Sequence, residues 1–378
     1  MVYYDVTNYY FAIDDQDTLR RKGVSKEHRP DPIVQMGLFM DTNGIPISYG
    51  LFPGNTNDCE TLITTMSKLK QDYGIGRTVV VADKGLNTSE NIIFNILQHD
   101  GYVYSQTIRG GTKELKEYVL SEKGYDCVND SYKIKSRIYP REIYVKTITG
   151  KTKKVSIDEK QVVFYNETYA KRAKAEREAT IMKARDLINN PANYNQATSR
   201  GAARYVKNLT YDAKTGEIIT VDRTLMFNET KLREEELYDG YFSIVTSEYK
   251  KTDSEIIDIY HGLWKIEESF KVTKSDLETR PIYLSREDHI QAHFLICFIA
   301  LVIARLLESR LHNKFTIAHI AESLAQTSCS HIERNWYLCD YYDDVTDAIN
   351  EYLGIDLRRK YLSLSEIKNI MGTTKKVS

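Results

Sequence analysis

An aspartate sits inside a β-forming apolar run near the start of the chain: Asp5, in VYYDVTNYYF. A carboxylate is expensive to bury unless it is paired or metal-bound, so Asp5 in a strand of this composition is a candidate ligand, although taken alone such an Asp is more often not one. After a polar connection over 14–32 that contains Lys26, His28 and Arg29, apolar runs at 33–40 and 45–52 flank Asp41-Thr42-Asn43-Gly44. The Asn-Gly pair predicts a hairpin there. The pattern then predicts a helix over 61–72, a strand over 78–82 ending on Asp83, a helix capped by Ser89 and running to 98 with Glu90 in its first turn, and a strand over 101–108. Such an order implies an α/β (α+β) fold, a mixed sheet with helices on its faces and strand-end side chains gathered near one edge.

A third carboxylate, Glu267, falls in the helical stretch IYHGLWKIEESFKVTK. At about 100° per residue, Tyr260, Glu267 and Lys274 share one narrow strip. Ile259, Leu263, Ile266, Phe270 and Leu277 make an adjacent apolar stripe that buries the helix against a sheet. Carboxylates from two strands and one helix can hold hard divalent cations, which take oxygen ligands. Two such ions can clamp the attacking and leaving oxygens of an in-line phosphoryl displacement. Each residue also has a plainer reading. Asp83 can end its strand at a turn, and Glu267 can pair with Lys271 one helical turn on. Glu268 competes with Glu267 but points about 100° away. Asp58 in PGNTND is an outer acid of the site or an ordinary loop residue.

The stretch Tyr260-x2-Leu263-x3-Glu267-x6-Lys274 resembles the Tyr-x2-Arg-x3-Glu-x6-Lys signature of bacterial insertion-sequence transposases of the DDE class, which have an RNase H-like catalytic core. The match continues through IEESFKVTKSDLETRPIY and REDHIQAHFLICFIALVIARLL. Upstream, YYDVTNYYF, GLFMDTNGIPISYGLFPGNTND and VVVADKGL resemble the first strands and second aspartate of that core. The motifs occur in order and cover roughly residues 2–110 and 238–310. The resemblance implies an RNase H-like mixed sheet flanked by helices, with a largely β subdomain inserted before the glutamate. It implies Asp5, Asp83 and Glu267 as catalytic residues and as ligands of two Mg²⁺ ions, for which Mn²⁺ substitutes. One ion would activate water, and later the freed 3′-hydroxyl; the other would stabilise the departing 3′ oxygen. Tyr260 and Lys274 are expected on DNA phosphates. Trp264 is expected to stack on an unpaired base or to pack at the boundary between core and insertion. The partners implied are DNA, at element ends and target, and a second copy in a synaptic homodimer, although the sequence shows no dimer motif. The family's signature Arg, associated with substrate DNA, is Leu263 here.

Four regions are expected: a first part of the core over 1–109, the β-rich insertion over 110–237, a second part of the core over 238–311, and a helical C-terminal region over 312–378. Within the insertion, alternation predicts strands over 132–139, 143–148 and 155–165, with turns at Gly150 and Gly216. A charged helix over 170–188 stops before Asn189-Asn190-Pro191. Its Lys171, Arg172, Lys174 and Arg177 either meet phosphates or form a solvated face interleaved with Glu176 and Glu178. A strand over 240–247 returns to the core, and Lys375-Lys376 ends the chain as a frayed tail.

Charged residues at 28% and hydrophobic residues at 42% describe a soluble globular chain. The 28 tyrosines suit aromatic surfaces that meet DNA, yet Tyr is also a good strand residue. Five scattered cysteines without CxxC spacing predict neither a zinc site nor a disulfide, and hence a reducing, nucleoid-associated cytoplasmic setting. The longest apolar run, 294–304, is too short to cross a bilayer and reads as a core helix, so no membrane partner is expected. His289 and His293 share a helix face as in some metal sites but lack an HExxH frame, so an interfacial or structural role is expected rather than metal ligation. A net charge of −1 is low for an autonomous DNA binder. Asp5 follows Met1 by only four residues, and the expectation is a catalytic core lacking an N-terminal DNA-binding domain, as a truncated or split gene would encode. The function expected is metal-dependent phosphodiester hydrolysis and strand transfer at insertion-sequence ends. A folded remnant that associates with DNA without cutting, and a stand-alone RNase H-like nuclease, are the alternatives.

Overall fold

The aromatic and β-branched run at the start forms β1 (Val2–Tyr10). β2 (Ile33–Met40), buried along its whole length, pairs with it antiparallel, Leu38 opposite Asp5. β3 (Pro46–Pro53) returns across the hairpin. At that turn Asp41 Oδ1 accepts from the N–H groups of Asn43 and Ile45 at 2.9 and 2.8 Å, and Gly44 takes φ +88°, where a side chain would be strained. α1 (Asp58–Tyr73) starts at Asp58, which is therefore a helical residue rather than a loop one. β4 (Val79–Ala82) then runs parallel to β1, Tyr3 opposite Val81. The computed structural model describes residues 1–27, 30–146, 149–189, 201–209 and 224–375. Its contacts divide it into two units, Met1–Val81 with His261–Ser378, and Ala82–Tyr260. His28, Arg29, the strand end at 148, Asn190-Pro191, the Gly216 turn and Lys376 lie outside the described residues.

The second unit opens with α2 (Ser89–Leu97), capped by Thr88 and not Ser89: the Thr88 side chain accepts from the Asn91 N–H, one residue earlier than expected. β5 (Gly101–Gln106), α3 (Lys113–Leu120) and β6 (Asp126–Asn129) follow. The two strands expected over 132–139 and 143–148 are one strand, β7 (Tyr132–Lys146), because β8 (Thr152–Asn166) pairs with it without a bulge from Tyr132↔Asn166 to Lys146↔Thr152. After α4 (Glu167–Asn189) come a short pair, β9 (Val206–Leu209) with β10 (Thr224–Phe227), then α5 (Glu229–Glu236), β11 (Tyr241–Thr246) and α6 (Asp253–His261). β11 lies antiparallel between β5 and β8. Tyr102, Tyr104, Val162, Phe164 and Ile244 are buried there, so much of the tyrosine content is strand core. On α4, Arg177 is buried and ion-paired with Asp239 at 2.5 Å, while Lys171 and Arg172 pair with Glu167 and Glu176 on an exposed face. Arg177 is thereby removed from the phosphate-contact candidates.

The chain returns to the first unit with α7 (Trp264–Ser275) and α8 (Glu287–Arg310). The single helix expected through Tyr260, Glu267 and Lys274 is interrupted: α6 stops at His261 and α7 starts at Trp264. Gly262 occupies the break, where a Cβ would collide with the Tyr3 hydroxyl. β1 sorts the helices by its period of two. Tyr4 donates to Thr61 Oγ1 of α1 at 2.8 Å, while Tyr9, with the opposite parity, meets Thr273 Oγ1 of α7 at 2.7 Å and packs edge-on to Phe294 of α8. Leu263, Ile266 and Phe270 are buried, as the apolar stripe requires.

Two expectations for the C-terminal part are corrected. The apolar run over 294–304 belongs to α8, but Leu295, Ile296, Ile299 and Ile303 are exposed, so it is not a core helix. Periodicity marks its buried side (Ile290, Phe294, Cys297, Leu301) and does not say whether the other side is covered. By length and composition α8 passes for a membrane span, yet it carries a buried Arg305 held by Glu308 at 2.7 Å and Glu268 at 3.4 Å. Residues 312–378 are not helical throughout. α9 (Ile317–Gln326) is followed by β12 (Ser330–Glu333) and β13 (Trp336–Leu338), and β14 (Tyr361–Ser363) joins them between α10 (Asp344–Leu353) and α11 (Leu364–Thr374). The β12–β13 hairpin brings Cys329 and Cys339 into a disulfide, against the expectation of none: scattered spacing in sequence does not exclude proximity across a hairpin.

Candidate active site

Asp5 stands on the face of β1 that α7 covers, with Tyr3, Thr7 and Tyr9 at the same parity. An open cleft of the first unit is lined by Asp5 and Thr7 from β1, by Glu267, Lys271 and Lys274 from α7, and by Arg280 beyond it. The fold therefore gathers two of the expected carboxylates, and Lys274 with them. Asp5 is half-buried and Glu267 exposed, in the first turn of α7. Glu267 and Lys271 both line this cleft, and among the described residues no ion pair within 4 Å joins them. Glu268, its neighbour, is committed elsewhere, to Arg305.

Lys274 is the most constrained side chain of the cleft. Its Nζ donates to Thr7 Oγ1 at 2.7 Å, lies 3.7 Å from Glu27 and sits 5.5 Å from the centre of the Tyr9 ring. Burial pushes its ammonium down to about 8; nearby Lys26 adds to the shift and Asp5 opposes it. Arg280 pairs with the same Glu27, and the Lys26 ammonium donates to the Val6 carbonyl. The cleft thus carries carboxylates at its mouth and a belt of cations beside them. Thr7 was legible in principle, two residues along the strand from Asp5; Arg280 and Glu27 had no signal in sequence that tied them to Lys274.

Asp83 follows β4 directly and belongs to the second unit. It caps the 3-10 turn Lys84–Leu86 in extended conformation. Its Oδ1 accepts from Ser105 Oγ at 2.7 Å and from the Tyr260 hydroxyl at 3.3 Å. Tyr260, expected on a DNA phosphate, is turned to this carboxylate and packs 5.5 Å from the Phe242 ring. Trp264 is 56% exposed at the start of α7, which corrects the reading of it as a packed boundary residue and leaves its ring open to solvent. Leu263 is buried, a packing residue where the signature has Arg. His293 meets the Thr279 carbonyl at 3.2 Å and Cys297 Sγ at 4.0 Å, a structural role, while His289 is exposed. His319, Asp343 and Asp344 come within 4.8 Å of one another at a different place on the surface, but Asp343 is occupied in capping α10.

One cleft thus brings together a strand-borne carboxylate, a helix-borne glutamate and a half-buried lysine. The family model described as "Transposase DDE domain" matches residues 12–303, and the chain belongs to that family. The match spans Asp83 and Glu267 and begins after Asp5. No curated protein matches the chain. Among solved structures, a cryo-EM structure of the piggyBac transposase synaptic complex with hairpin DNA is similar at 9% identity and a TM-score of 0.41, covering 98% of this chain and 57% of that one. The chain thus spans little more than half the length of that transposase.

Proposed function

We propose that this chain is a DNA transposase catalytic core, with Asp5, Asp83 and Glu267 as its catalytic carboxylates. The observation that carries the reading is the meeting of Asp5 and Glu267 in one cleft, within a chain of the DDE transposase family.

The donor set fits hard divalent cations: carboxylate oxygens on an open, water-accessible cleft, with a hydroxyl (Thr7) and no sulfur ligand lining it. Asp5, Asp83 and Glu267 would hold Mg²⁺, with two ions as the proposed number. When bound, such ions supply Lewis-acid stabilisation of charge developing on phosphate oxygens. Ser105 and Tyr260 orient the Asp83 carboxylate by donating to one oxygen, leaving the other for a ligand. Lys274, fixed by Thr7, places a positive charge beside the cleft, suited to a DNA phosphate. Trp264, exposed on the same helix, offers a stacking surface to a base. The DNA substrate, a synaptic pair of copies and a cytoplasmic setting belong to this same reading.

The test uses the full chain and the DNA that flanks its own coding sequence. Nicks at discrete positions with 3′-hydroxyl ends, dependent on Mg²⁺ or Mn²⁺ and lost in Glu267→Gln, are expected, together with products joined to a target plasmid. Cleavage without joining would replace transposase by nuclease. Cleavage that survives Glu267→Gln would remove this site from the chemistry.

A further inference from the structure

Helix α8 presents an uncovered apolar stripe. Leu295, Ile296, Ile299, Ile303 and Leu306 are each between 43% and 66% exposed. At about 100° per residue they fall within a band roughly 100° wide on one side of the helix, with exposed Ala292 on the same band. A contiguous patch of five large aliphatic side chains is unusual on a protein that works alone in water. The band ends in charge: Asp288 lies on it before the apolar residues and Arg310 after them, both exposed.

The spacing is self-complementary. Asp288 stands eleven positions before Ile299, and Arg310 eleven after it. Reversing the helix about Ile299 places Asp288 on Arg310, Ala292 on Leu306, Leu295 on Ile303 and Ile299 on itself. A two-fold axis through Ile299 therefore matches small against large, aliphatic against aliphatic, and acid against base at both ends. Such an isologous contact needs one surface that complements itself, and this stripe does. We infer that the exposed face of α8 is a homodimer surface, packing antiparallel on the same helix of a second copy with Ile299 at the axis.

The end charges are available on these terms. Asp288 at present pairs with Arg286 at 2.6 Å on the surface, and the Arg310 guanidinium lies 6.0 Å from the Tyr352 ring centre. Neither arrangement is buried, so exchanging them for an intermolecular pair costs little. One helix pair buries less than the roughly 1,200–2,000 Å² of a standard interface, so a dimer held by α8 alone is expected to be weak and concentration-dependent. The inference concerns a surface outside the cleft and does not depend on the catalytic reading.

Sedimentation velocity of the full chain over a wide concentration range is the first measurement, and a monomer–dimer equilibrium is expected. Ile299→Glu, at an exposed position that folding tolerates, should weaken it by roughly tenfold or more. Asp288→Arg and Arg310→Asp should each weaken it and together restore it. In a Cys127→Ser background, which removes the exposed free thiol, Ile299→Cys should cross-link to itself and Leu295→Cys to Ile303→Cys. Self-cross-linking of Leu295→Cys and of Ile303→Cys, without the mixed pair, would mean a parallel contact and overturn the inference. So would a wild-type chain that stays monomeric, whether alone in solution or bound to vesicles of phosphatidylcholine and phosphatidylglycerol. Unchanged association in Ile299→Glu, with circular dichroism showing a folded variant, would place the dimer surface elsewhere.

Discussion

Lys274 reaches from α7 to β1 and donates to Thr7 Oγ1 at 2.7 Å, two positions along the strand from Asp5. The bond ties the helix that carries Glu267 to the strand that carries Asp5. It also holds an ammonium where burial disfavours its charge, pushing it from 10.5 down to about 8. The unfolded chain therefore binds the extra proton more readily between about pH 8 and 10.5, and folding stability rises with pH across that window. Below about pH 8 the full cost is present. Lys274→Met is expected to stabilise the fold at pH 7 by on the order of 2 kcal/mol, less about 1 kcal/mol for the lost hydrogen bond, with the advantage vanishing above about pH 10.5. The same variant should lose DNA cleavage. Melting temperatures at pH 7 and 10, set beside a nicking assay, check both; a variant that melts lower at pH 7 would contradict the burial argument.

Glu267 and Glu268 are neighbours in different settings, and conservative variants should separate them. Glu267 is exposed on the cleft, so Glu267→Gln is expected to change stability by less than about 0.5 kcal/mol while abolishing metal-dependent cleavage. Glu268 faces Arg305, buried and shared with Glu308 and Ser269. Glu268→Gln should keep cleavage and lower stability by about 1 kcal/mol. Chemical denaturation and a nicking assay on the two variants give the comparison, and reversed phenotypes would move the catalytic role to Glu268.

Much of the candidate site was legible because the elements that carry it follow from local pattern. Asp5 inside an apolar strand, the Asn-Gly hairpin that aligns β2 and β3, and Glu267 beside an apolar helical stripe are all short-range signals. What escaped was set by tertiary context. The break between His261 and Trp264 depends on Tyr3 passing close to Gly262, a contact between residues far apart in sequence. The cap on α2 moved by one residue because Thr88 and Ser89 cap equally well on paper, and only the backbone path chooses. α8 read as core because periodicity identifies its apolar faces but cannot count how many neighbours cover them. The Cys329–Cys339 disulfide needed the hairpin first.

Acid sensitivity of the C-terminal part should trace to Asp343. Its Oδ1 accepts from the Thr346 N–H at 2.8 Å and from Ser323 Oγ at 2.9 Å, and its Oδ2 from the Tyr341 hydroxyl at 2.8 Å. Those donors hold its carboxyl down to about 2, against burial, from an ordinary 3.8. The folded pKa is the lower one, so the stabilisation is present above about pH 4 and drains away as pH falls towards 2. Asp343→Ala is expected to cost about 1–2 kcal/mol at pH 7, the worth of a helix cap. Asp343→Asn should retain part of the cap and flatten the pH dependence below 4. Unfolding followed between pH 2 and 7 tests this; an unaltered acid transition in Asp343→Asn would assign it to other carboxylates.

Leu263 poses a sharper test, since the family signature resembled by this stretch carries Arg at its position. The side chain is only 6% exposed and lies between α6 and α7, in the apolar stripe with Ile266 and Phe270. An arginine there would have to bury its guanidinium without a partner or push the stripe off the strands beneath it. Either course is costly, because an unpaired buried charge is destabilising by several kcal/mol. Leu263→Arg is therefore expected to lower stability by about 2–4 kcal/mol and to leave cleavage no higher than in the parent. On this view Leu263 is a substitution to which the packing has adapted, and we propose that the cations lining the cleft, Lys271, Lys274 and Arg280, supply the contact with DNA instead. Denaturation midpoints and nicking rates of Leu263→Arg, measured with Lys274→Met alongside, decide the matter. A stable Leu263→Arg chain that cuts faster would show that the site still accepts the signature residue.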